Sequence, residues 1–207
     1  MSAPAAEVPP APWRSRVEAV LWWHRATPAA RAALPGSLAG RSGLPVTIGG
    51  MIAYREGPVG PYAEVFGAPV MLRGGVALSH VAFMAVDSVP SRAGGRGNWA
   101  LPKELARFEG RVGAAGRAAA RGDGWAVAVR TTVRARGVPA WLRFAAAQVW
   151  ADGTVRSFTV TLRGRARIAR AAVRHDETSA LSAWLVAGEH PAVAVSGVQL
   201  VSAARPG

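Results

Sequence analysis

The strongest constraint on the fold is a period-two alternation of apolar and polar residues, which recurs in separate stretches of the chain. In VRSFTVTLRG (155–164), Phe158, Val160 and Leu162 alternate with hydroxyl side chains. In WAVAVRTTVRA (125–135), tryptophan and valines share one face and arginines take the other. Side chains of a strand point alternately to its two faces, so both stretches predict strands with one buried face.

Other segments add to the predicted sheet. WLRFAAAQVWADG (141–153) ends in an Asp-Gly turn signal and therefore predicts a hairpin with the strand that follows. Residues 46–54, 77–86 and 192–201 are further strand candidates, because each is a short run rich in apolar and β-branched residues.

Only two helices are expected. PAARAAL (28–34) predicts a short helix that stops before a Pro-Gly pair, and a second helix is expected from the N-cap Asp176 to Gly188 and Pro191. Many strands with few helices predict an α+β fold that is mainly antiparallel β, with the sheet curled into a β-barrel-like or double-sheet form. A closed barrel of this size holds one small ligand or is filled by its own side chains, and both outcomes stay open.

Length and composition limit the remaining possibilities. The 207 residues predict one domain over 13–207, preceded by a loose Ala- and Pro-rich tail over 1–12. The chain has no cysteine, which excludes disulfides and thiolate ligands, and its four histidines lack the spacing of a local metal site. We predict no metal and no cofactor. The start has no signal-peptide pattern and no apolar run reaches membrane-spanning length, so we predict a cytoplasmic protein without a membrane partner.

The formal net charge of +13 raises the question of a nucleic-acid partner. Arginine is densest in RGRARIARAAVR (163–174), but no RNA-binding or zinc-finger pattern accompanies it and aromatic residues do not interleave with it. A GC-rich coding bias accounts for abundant Ala, Gly, Pro and Arg together. We therefore expect a solvated, arginine-rich surface and no nucleic-acid partner.

Lys103, in GNWALPKELARFEG (97–110), is the only lysine in a chain with 24 arginines. A guanidinium stays protonated, whereas a desolvated lysine can lose its proton and form a Schiff base with a carbonyl. If positive charge alone mattered at this position, the habit of the chain would favour arginine. The local alternative is a solvated lysine in the first turn of a helix that begins at Pro102, with Glu104 favourable to the helix dipole.

Two motifs in order resemble the acetoacetate decarboxylase family: EGPVGPYAEVFGAPV (56–70) and VDSVPSRAGGRGNWALPKELARF (86–108). The resemblance covers about residues 14–110 and implies an acetoacetate decarboxylase-like fold that forms homo-oligomers. It implies that Lys103 is the Schiff-base lysine and Glu64 the active-site glutamate. It places the family's functional arginine at Arg16, with Arg14 as the near alternative, and gives Arg96 a structural role.

Three aromatic residues near these motifs, Tyr62, Phe66 and Trp99, are candidate walls of an apolar substrate pocket. Plain core packing is the alternative for each of them. The glycine-rich stretches GPVGP and RAGGRG lack the spacing of a phosphate-binding loop, so we interpret them as turns.

The chain also departs from the family pattern, since Glu104 stands where the decarboxylase has a second lysine. The sequence therefore predicts a divergent member that uses a lysine Schiff base to decarboxylate a small β-keto acid. The alternatives are an aldolase- or dehydratase-type lyase acting on a 2-oxo acid, and a barrel that binds a small molecule without catalysis.

This chemistry makes a demand on Lys103. An ordinary lysine has a pKa of about 10.4, so the site must lower that pKa by roughly 3–4 units to keep the amine neutral. With Glu104 in place of a cationic neighbour, we expect burial to provide the shift. Glu64 is expected to shuttle protons or orient the substrate. Arg16 is expected either to clamp a substrate carboxylate or to pair with Glu64.

Overall fold

A computed structural model of the chain describes residues 8–32, 34–39, 43–73, 76–113, 115–134, 136–175 and 180–206. Most of these residues lie in strands. The strands, in chain order, are β1 (Trp13–Arg25), β2 (Gly43–Glu56), β3 (Tyr62–Arg73), β4 (Val76–Ser79), β5 (Phe83–Val86), β6 (Lys103–Leu105), β7 (Arg107–Gly110), β8 (Gly116–Gly122), β9 (Trp125–Val133), β10 (Val138–Val149), β11 (Val155–His175), β12 (Gly188–Val201) and β13 (Arg205–Pro206). The helices are α1 (Pro28–Ala32), α2 (Gly36–Ala39) and α3 (Val89–Trp99), and a 3-10 turn covers Ala180–Ala183.

Seven of the strands close into a ring. Their order is β10-β4-β3-β2-β1-β12-β11, and β11 pairs again with β10. All but one of the contacts around the ring are antiparallel; β4 meets β10 in parallel at a single register pair, Ser79 with Ala146. The Ser79 hydroxyl strengthens this short seam by donating to the carbonyl of Ala145 at 3.0 Å. The predicted mainly antiparallel, curled sheet is confirmed.

The two faces of β1 pack into two different buried apolar clusters. Val17, Ala19 and Leu21 belong to a buried cluster on the inner side of the ring. Val20 and Trp22 point the opposite way and join a second buried cluster, which also contains apolar residues of β8 and β9. The strands β9, β8 and β7 continue the sheet from β11 and cover this second cluster. A strand buried on both faces explains the nearly continuous apolar run in the middle of β1.

Several predicted elements are confirmed. Residues 141–153 form β10 and the Asp-Gly turn into β11, and the two strands pair antiparallel. The predicted strand over 125–135 corresponds to β9, in which Val127 and Val129 are buried while Arg130 is exposed. The arginines of 163–174 lie on β11 and are exposed.

Other predictions need correction. Residues 176–179, including the proposed N-cap Asp176, lie outside the described residues. The segment after them forms one 3-10 turn instead of a helix, and Pro191 lies within β12. The predicted strand over 77–86 is interrupted at residues 80–82. Where the glycine-rich stretch RAGGRG predicted a turn, the chain forms α3, which begins after the N-cap Ser88.

The described part of the N-terminal tail, residues 8–12, is attached to the body of the protein. The carbonyl of Pro9 accepts hydrogen bonds from the indole of Trp13 at 2.9 Å and from the amide of Asn98 at 3.0 Å. Residues 1–7 lie outside the described residues. Within the described ranges, no helix is long and apolar enough to cross a membrane.

A close backbone approach in the ring lies between β11 and β12, where Gly164 pairs with Gly197. A Cβ atom at Gly164 would collide with the carbonyl oxygen of Ser196. Because that oxygen belongs to the backbone of a paired strand, it cannot move aside as a flexible side chain would.

We therefore expect Gly164→Ala to lower the free energy of unfolding by about 2 kcal/mol or more, since overpacking a well-packed site costs about 1–3 kcal/mol. In thermal unfolding this corresponds to a decrease in Tm of roughly 4 °C or more for a chain of this size. Gly36→Ala is the matched control, because an added Cβ at Gly36 meets nothing within 4 Å. Equal Tm values for the two variants would contradict this account of the strand crossing.

Candidate active site

A small cavity lies inside the ring and receives side chains from all seven ring strands. Its volume is about 110 Å³, and its walls are mostly apolar. For scale, an engineered apolar cavity of about 150 Å³ binds benzene. The cavity therefore suits a molecule of only a few carbon atoms. One part of its wall is polar, and Lys103 lies there.

Lys103 reaches this wall from a short strand that follows α3. The helix ends at Ala100, which adopts the left-handed conformation (φ 51°), and the chain then turns into β6, which pairs with β5 in parallel. The guanidinium of Arg96 donates to the carbonyl of Lys103 at 2.8 Å and fixes the start of β6. Lys103 is thus the first residue of a strand and does not lie in a helix. Its side chain points inward and is 2% exposed.

The lysine side chain passes over a helix surface that has no side chain. A Cβ atom at Gly95 would lie 2.5 Å from Cδ and 2.6 Å from Cε of Lys103. The neighbouring Gly94 leaves space for the ring of Trp13 in the same way. Two consecutive glycines therefore let α3 pack directly against the aliphatic part of Lys103 and against Trp13.

The Lys103 ammonium has two close partners. Its Nζ lies 2.9 Å from Oε2 of Glu64, and it donates to Oγ of Ser91 at 3.0 Å. Glu64 is also buried, with 3% of its surface exposed. Nζ also lies 5.2 Å from the centre of the Tyr62 ring. A buried charge is stable only when it is paired and hydrogen-bonded, and both conditions hold here.

Two stacked tyrosines complete the polar wall. The rings of Tyr54 and Tyr62 are parallel within 12°, with centres 4.0 Å apart. The hydroxyl of Tyr54 donates to Oε1 of Glu64 at 3.2 Å. Glu64 therefore accepts from a phenol on one oxygen and from the ammonium on the other. Burial raises the pKa of Tyr54 well above its usual value, so this phenol keeps its proton.

Two opposing effects set the pKa of Lys103. Burial disfavours the charged amine and acts to lower the pKa, but the carboxylate of Glu64, with help from Tyr62, raises it above the ordinary value overall. The expectation that burial alone would leave the amine neutral is therefore corrected. In this geometry the amine is protonated and its charge is balanced by the carboxylate next to it.

The comparisons with known proteins agree with this fold. A family model described as acetoacetate decarboxylase (ADC) matches residues 1–183. The chain belongs to the acetoacetate decarboxylase family. A comparison with curated proteins found no match.

Several solved structures share the fold of this family member. Acetoacetate decarboxylase from Legionella pneumophila matches with a TM-score of 0.72 and 16% identity, over 100% of this chain and 92% of that one. An acetoacetate decarboxylase-like enzyme from Sphingomonas wittichii RW1 gives 0.71 and 16%, over 99% and 96%. The enduracididine biosynthesis enzyme MppR complexed with pyruvate gives 0.69 and 16%, over 98% and 93%. At these identities the likeness establishes the fold alone, while the family match supports a decarboxylase-like enzyme of the lyase type.

Five of the six residues predicted from the sequence of this decarboxylase-family chain line the cavity. These residues are Glu64, Tyr62, Phe66, Trp99 and Lys103. Trp99 is also held in place by its indole, which donates to the carbonyl of Ser202 at 2.7 Å. The apolar-wall interpretation of the three aromatic residues therefore agrees with their positions.

The structure does not bring Arg16 to this site. The side chains of Arg14 and Arg16 are exposed on the outer face of β1, because the residues that alternate with them, Trp13 and Ser15, point into the cavity. The side chain of Arg16 is 65% exposed, and its Nε lies 3.5 Å from Oε1 of Glu56. The expected role of Arg16 as a carboxylate clamp or as a partner of Glu64 thus has no support in this geometry.

Several polar residues at or next to the cavity wall carry no functional signal in the sequence. The local pattern at Tyr54 indicates only a strand, and Ser91 precedes a glycine-rich stretch that is typical of a turn. Gln199 lines the cavity from β12, in the part of the chain where the family resemblance is weakest. Glu104 points away from Lys103 and accepts from the indole of Trp125 at 2.9 Å. Strand alternation separates the two adjacent side chains.

The opposing effects on Lys103 give a prediction about its protonation. Because the chain has one lysine, lysine labelled with ¹³C gives a single Cε NMR signal that reports the charge on Lys103. We expect this signal to titrate in the wild type only above the pH range of an ordinary lysine, because Glu64 raises the pKa of Lys103.

In Glu64→Gln the carboxylate is gone and burial is opposed only by the weaker effect of Tyr62, so the midpoint should move to lower pH. Glu104→Gln is the control, since that exposed carboxylate does not contact the amine, and its midpoint should equal the wild-type value. A midpoint in Glu64→Gln at or above the wild-type one would show that Glu64 does not hold the proton on Lys103.

Proposed function

We propose that this protein decarboxylates a small β-keto acid through a Schiff base on Lys103. The observation that carries the proposal is the position of Lys103: it is buried at the wall of an apolar cavity, with Nζ 2.9 Å from the carboxylate of Glu64. Membership in the acetoacetate decarboxylase family supports the same chemistry.

The first step turns the ion pair into a nucleophile and its base. Glu64 takes a proton from the Lys103 ammonium, and the free amine attacks the ketone carbon of the substrate to form a C–N bond. The displaced electron pair goes to the carbonyl oxygen, which receives a proton that the nitrogen loses. Protonated Glu64 then donates to the resulting hydroxyl, and water leaves to give an iminium ion. This route needs no second cation, because the ammonium loses its proton directly to a neighbour.

The second step breaks the bond to the carboxylate. The electron pair of the C–CO₂⁻ bond moves toward the iminium nitrogen, CO₂ leaves, and an enamine remains. Apolar walls favour this step, because they solvate the carboxylate poorly and do not oppose the dispersal of its charge. Among the described residues, no arginine lines the cavity. A 2-oxo acid that keeps its carboxylate throughout the reaction would lack a cationic partner there, so decarboxylation is the better-supported reaction.

The last steps release the product. The enamine carbon accepts a proton that Glu64 relays from solvent, which restores an iminium ion. Water adds to that ion, the ketone leaves, and the Lys103 ammonium pairs again with Glu64. The sum of the steps is one β-keto acid anion and one proton converted to one ketone and CO₂. Self-association and cytoplasmic location stay predictions from the sequence.

The direct test is reductive trapping with acetoacetate as the probe. Borohydride should convert the iminium into a stable secondary amine on Lys103, detected by mass spectrometry of the peptide that contains it, with CO₂ release measured in parallel. Lys103→Arg keeps the charge but has no nucleophilic amine, so it should give no adduct on that peptide and lose at least about 1,000-fold in turnover.

Two outcomes would overturn the proposal. The first is that acetoacetate and its longer 3-oxo homologues stabilise the protein against heating but give neither an adduct nor CO₂ release. This result would identify a binding protein without catalysis. Trapping of pyruvate in preference to every β-keto acid would instead favour chemistry on a 2-oxo acid.

The contact between Lys103 and α3 gives a second prediction. Gly95→Ala forces the aliphatic part of Lys103 to move, and misplacing a reacting group by about 1 Å costs roughly 100-fold in rate. Gly97→Ala lies on the same helix, where an added Cβ meets nothing within 4 Å. We expect the rate of trapping at Lys103 to fall by at least about tenfold in Gly95→Ala and to stay at the wild-type level in Gly97→Ala. Equal rates would mean that α3 does not position the amine.

A further inference from the structure

One polar group on the cavity wall is left unused by the mechanism above. Gln199, on β12, is 5% exposed and faces the cavity between its register partners Ser15 on β1 and Leu162 on β11. Among the described residues, its amide oxygen Oε1 has no hydrogen-bond partner. Buried polar atoms nearly always have a partner, so an oxygen of this kind on the wall of a ligand-sized cavity calls for an explanation.

The neighbours of Gln199 determine which end of its amide is free. The side chain of Gln199 acts on the phenol of Tyr54 in the direction that lowers its pKa, which is the effect of a donor facing the phenol oxygen. The hydroxyl of Tyr54 donates its one proton to Glu64. Glu64 receives a second proton donor, the Lys103 ammonium, on its other oxygen. Tyr54 can therefore only accept from Gln199, which requires the NH₂ end of the amide to face the phenol. The hydrogen bonds thus run in one direction, and Oε1 is the end left over.

An unpartnered carbonyl-type oxygen selects for one kind of ligand group. It accepts a hydrogen bond from a hydroxyl or an amide N–H, and it repels a carboxylate, which carries only acceptors. The described cavity wall offers no arginine that would offset such repulsion. Ser15, the neighbour of Gln199 on β1, adds a hydroxyl to the same part of the wall.

We infer that Gln199 is a specificity-determining residue and that its Oε1 accepts a hydrogen bond from a neutral donor, a hydroxyl or an N–H group, on the substrate chain away from the carbonyl that reacts with Lys103. The substrate class is then a short β-keto acid with a hydroxyl- or amide-bearing tail, and not one with a second carboxylate. This inference rests on the proposed function, because it takes Lys103 as the point to which the substrate carbonyl is bound.

Matched ketones test the inference without knowledge of the natural substrate. The probes are 4-hydroxybutan-2-one with pentan-2-one, and 5-hydroxypentan-2-one with hexan-2-one; in each pair a hydroxyl replaces a methyl group. The measurement is the ketone concentration that gives half-maximal borohydride trapping at Lys103. In at least one pair we expect the wild type to require about tenfold less of the hydroxyketone, since a site built to hydrogen-bond a hydroxyl discriminates against the analogue that lacks it.

Gln199→Met removes the acceptor and keeps the length of the side chain, so this preference should disappear. The ratio within a pair is insensitive to a general loss of Lys103 reactivity, which affects both ketones equally. Gln148→Met is the matched control: Gln148 is also a buried glutamine, but it donates to the carbonyl of Val81 and does not line the cavity. Its ratio should equal the wild-type ratio.

The outcomes separate the two proposals. If neither the ketones nor acetoacetate are trapped, the Schiff-base function fails. If ketones are trapped but the wild type shows no preference for the hydroxyl in either pair, or the preference survives in Gln199→Met, the role of Gln199 is overturned while the function stands. If Gln199→Met fails to fold, the absence of a hydroxyl preference in the wild type still overturns the role of Gln199.

Discussion

The buried ion pair between Lys103 and Glu64 is the interaction on which the rest of the site depends. Each partner alone would be a charge inside an apolar ring and would cost several kcal/mol to bury. Together they are neutral overall, and each has a further hydrogen bond, from Tyr54 to Glu64 and from Lys103 to Ser91. The pair joins β3, β6 and α3, three elements that are separate in sequence, at one point of the cavity wall.

The pair also explains how this chain manages without a second cation beside its lysine. A neighbouring positive charge lowers the pKa of an amine at all times, even when no substrate is present. A neighbouring carboxylate does the opposite at rest, but it offers a place for the proton 2.9 Å away. In the proposed mechanism the amine is therefore held in its charged form and becomes nucleophilic when its proton moves to Glu64. Glu104 does not interfere, because strand alternation turns it toward Trp125 on the outside.

Sequence was most informative where local pattern and chemistry coincide. Strand alternation predicted β9 and the first part of β11, and the Asp-Gly turn signal predicted the β10–β11 hairpin, because both are local properties of the sequence. The count of one lysine against 24 arginines is enough by itself to single out Lys103. The predicted place of Arg16 in the site was wrong for a related reason. In a strand, an error of one residue moves the side chain to the other face. Ser15, its neighbour, is the residue that points inward.

The remaining site residues depend on long-range contacts that no local pattern contains. Gln199 lies on the last long strand and meets Tyr54 only because β12 and β2 both flank β1 in the ring. Of the segment expected to be a helix after Asp176, the described residues contain only the 3-10 turn Ala180–Ala183, and the chain from Gly188 onward, with Pro191, pairs as a strand in the ring. Helix α3 was missed because four of its eleven residues are glycine or proline, which penalise helices in isolation.

The glycines of α3 set a requirement for transferring the proposed chemistry to another protein scaffold. An amine and a carboxylate placed at the right separation would not reproduce the arrangement. The aliphatic part of the lysine side chain also needs a helix surface without side chains to pack against. At position 95, the absence of a Cβ atom leaves the space that the Lys103 side chain occupies. Among distant relatives, a glycine at this helix position and a buried lysine at the position of Lys103 should be gained and lost together.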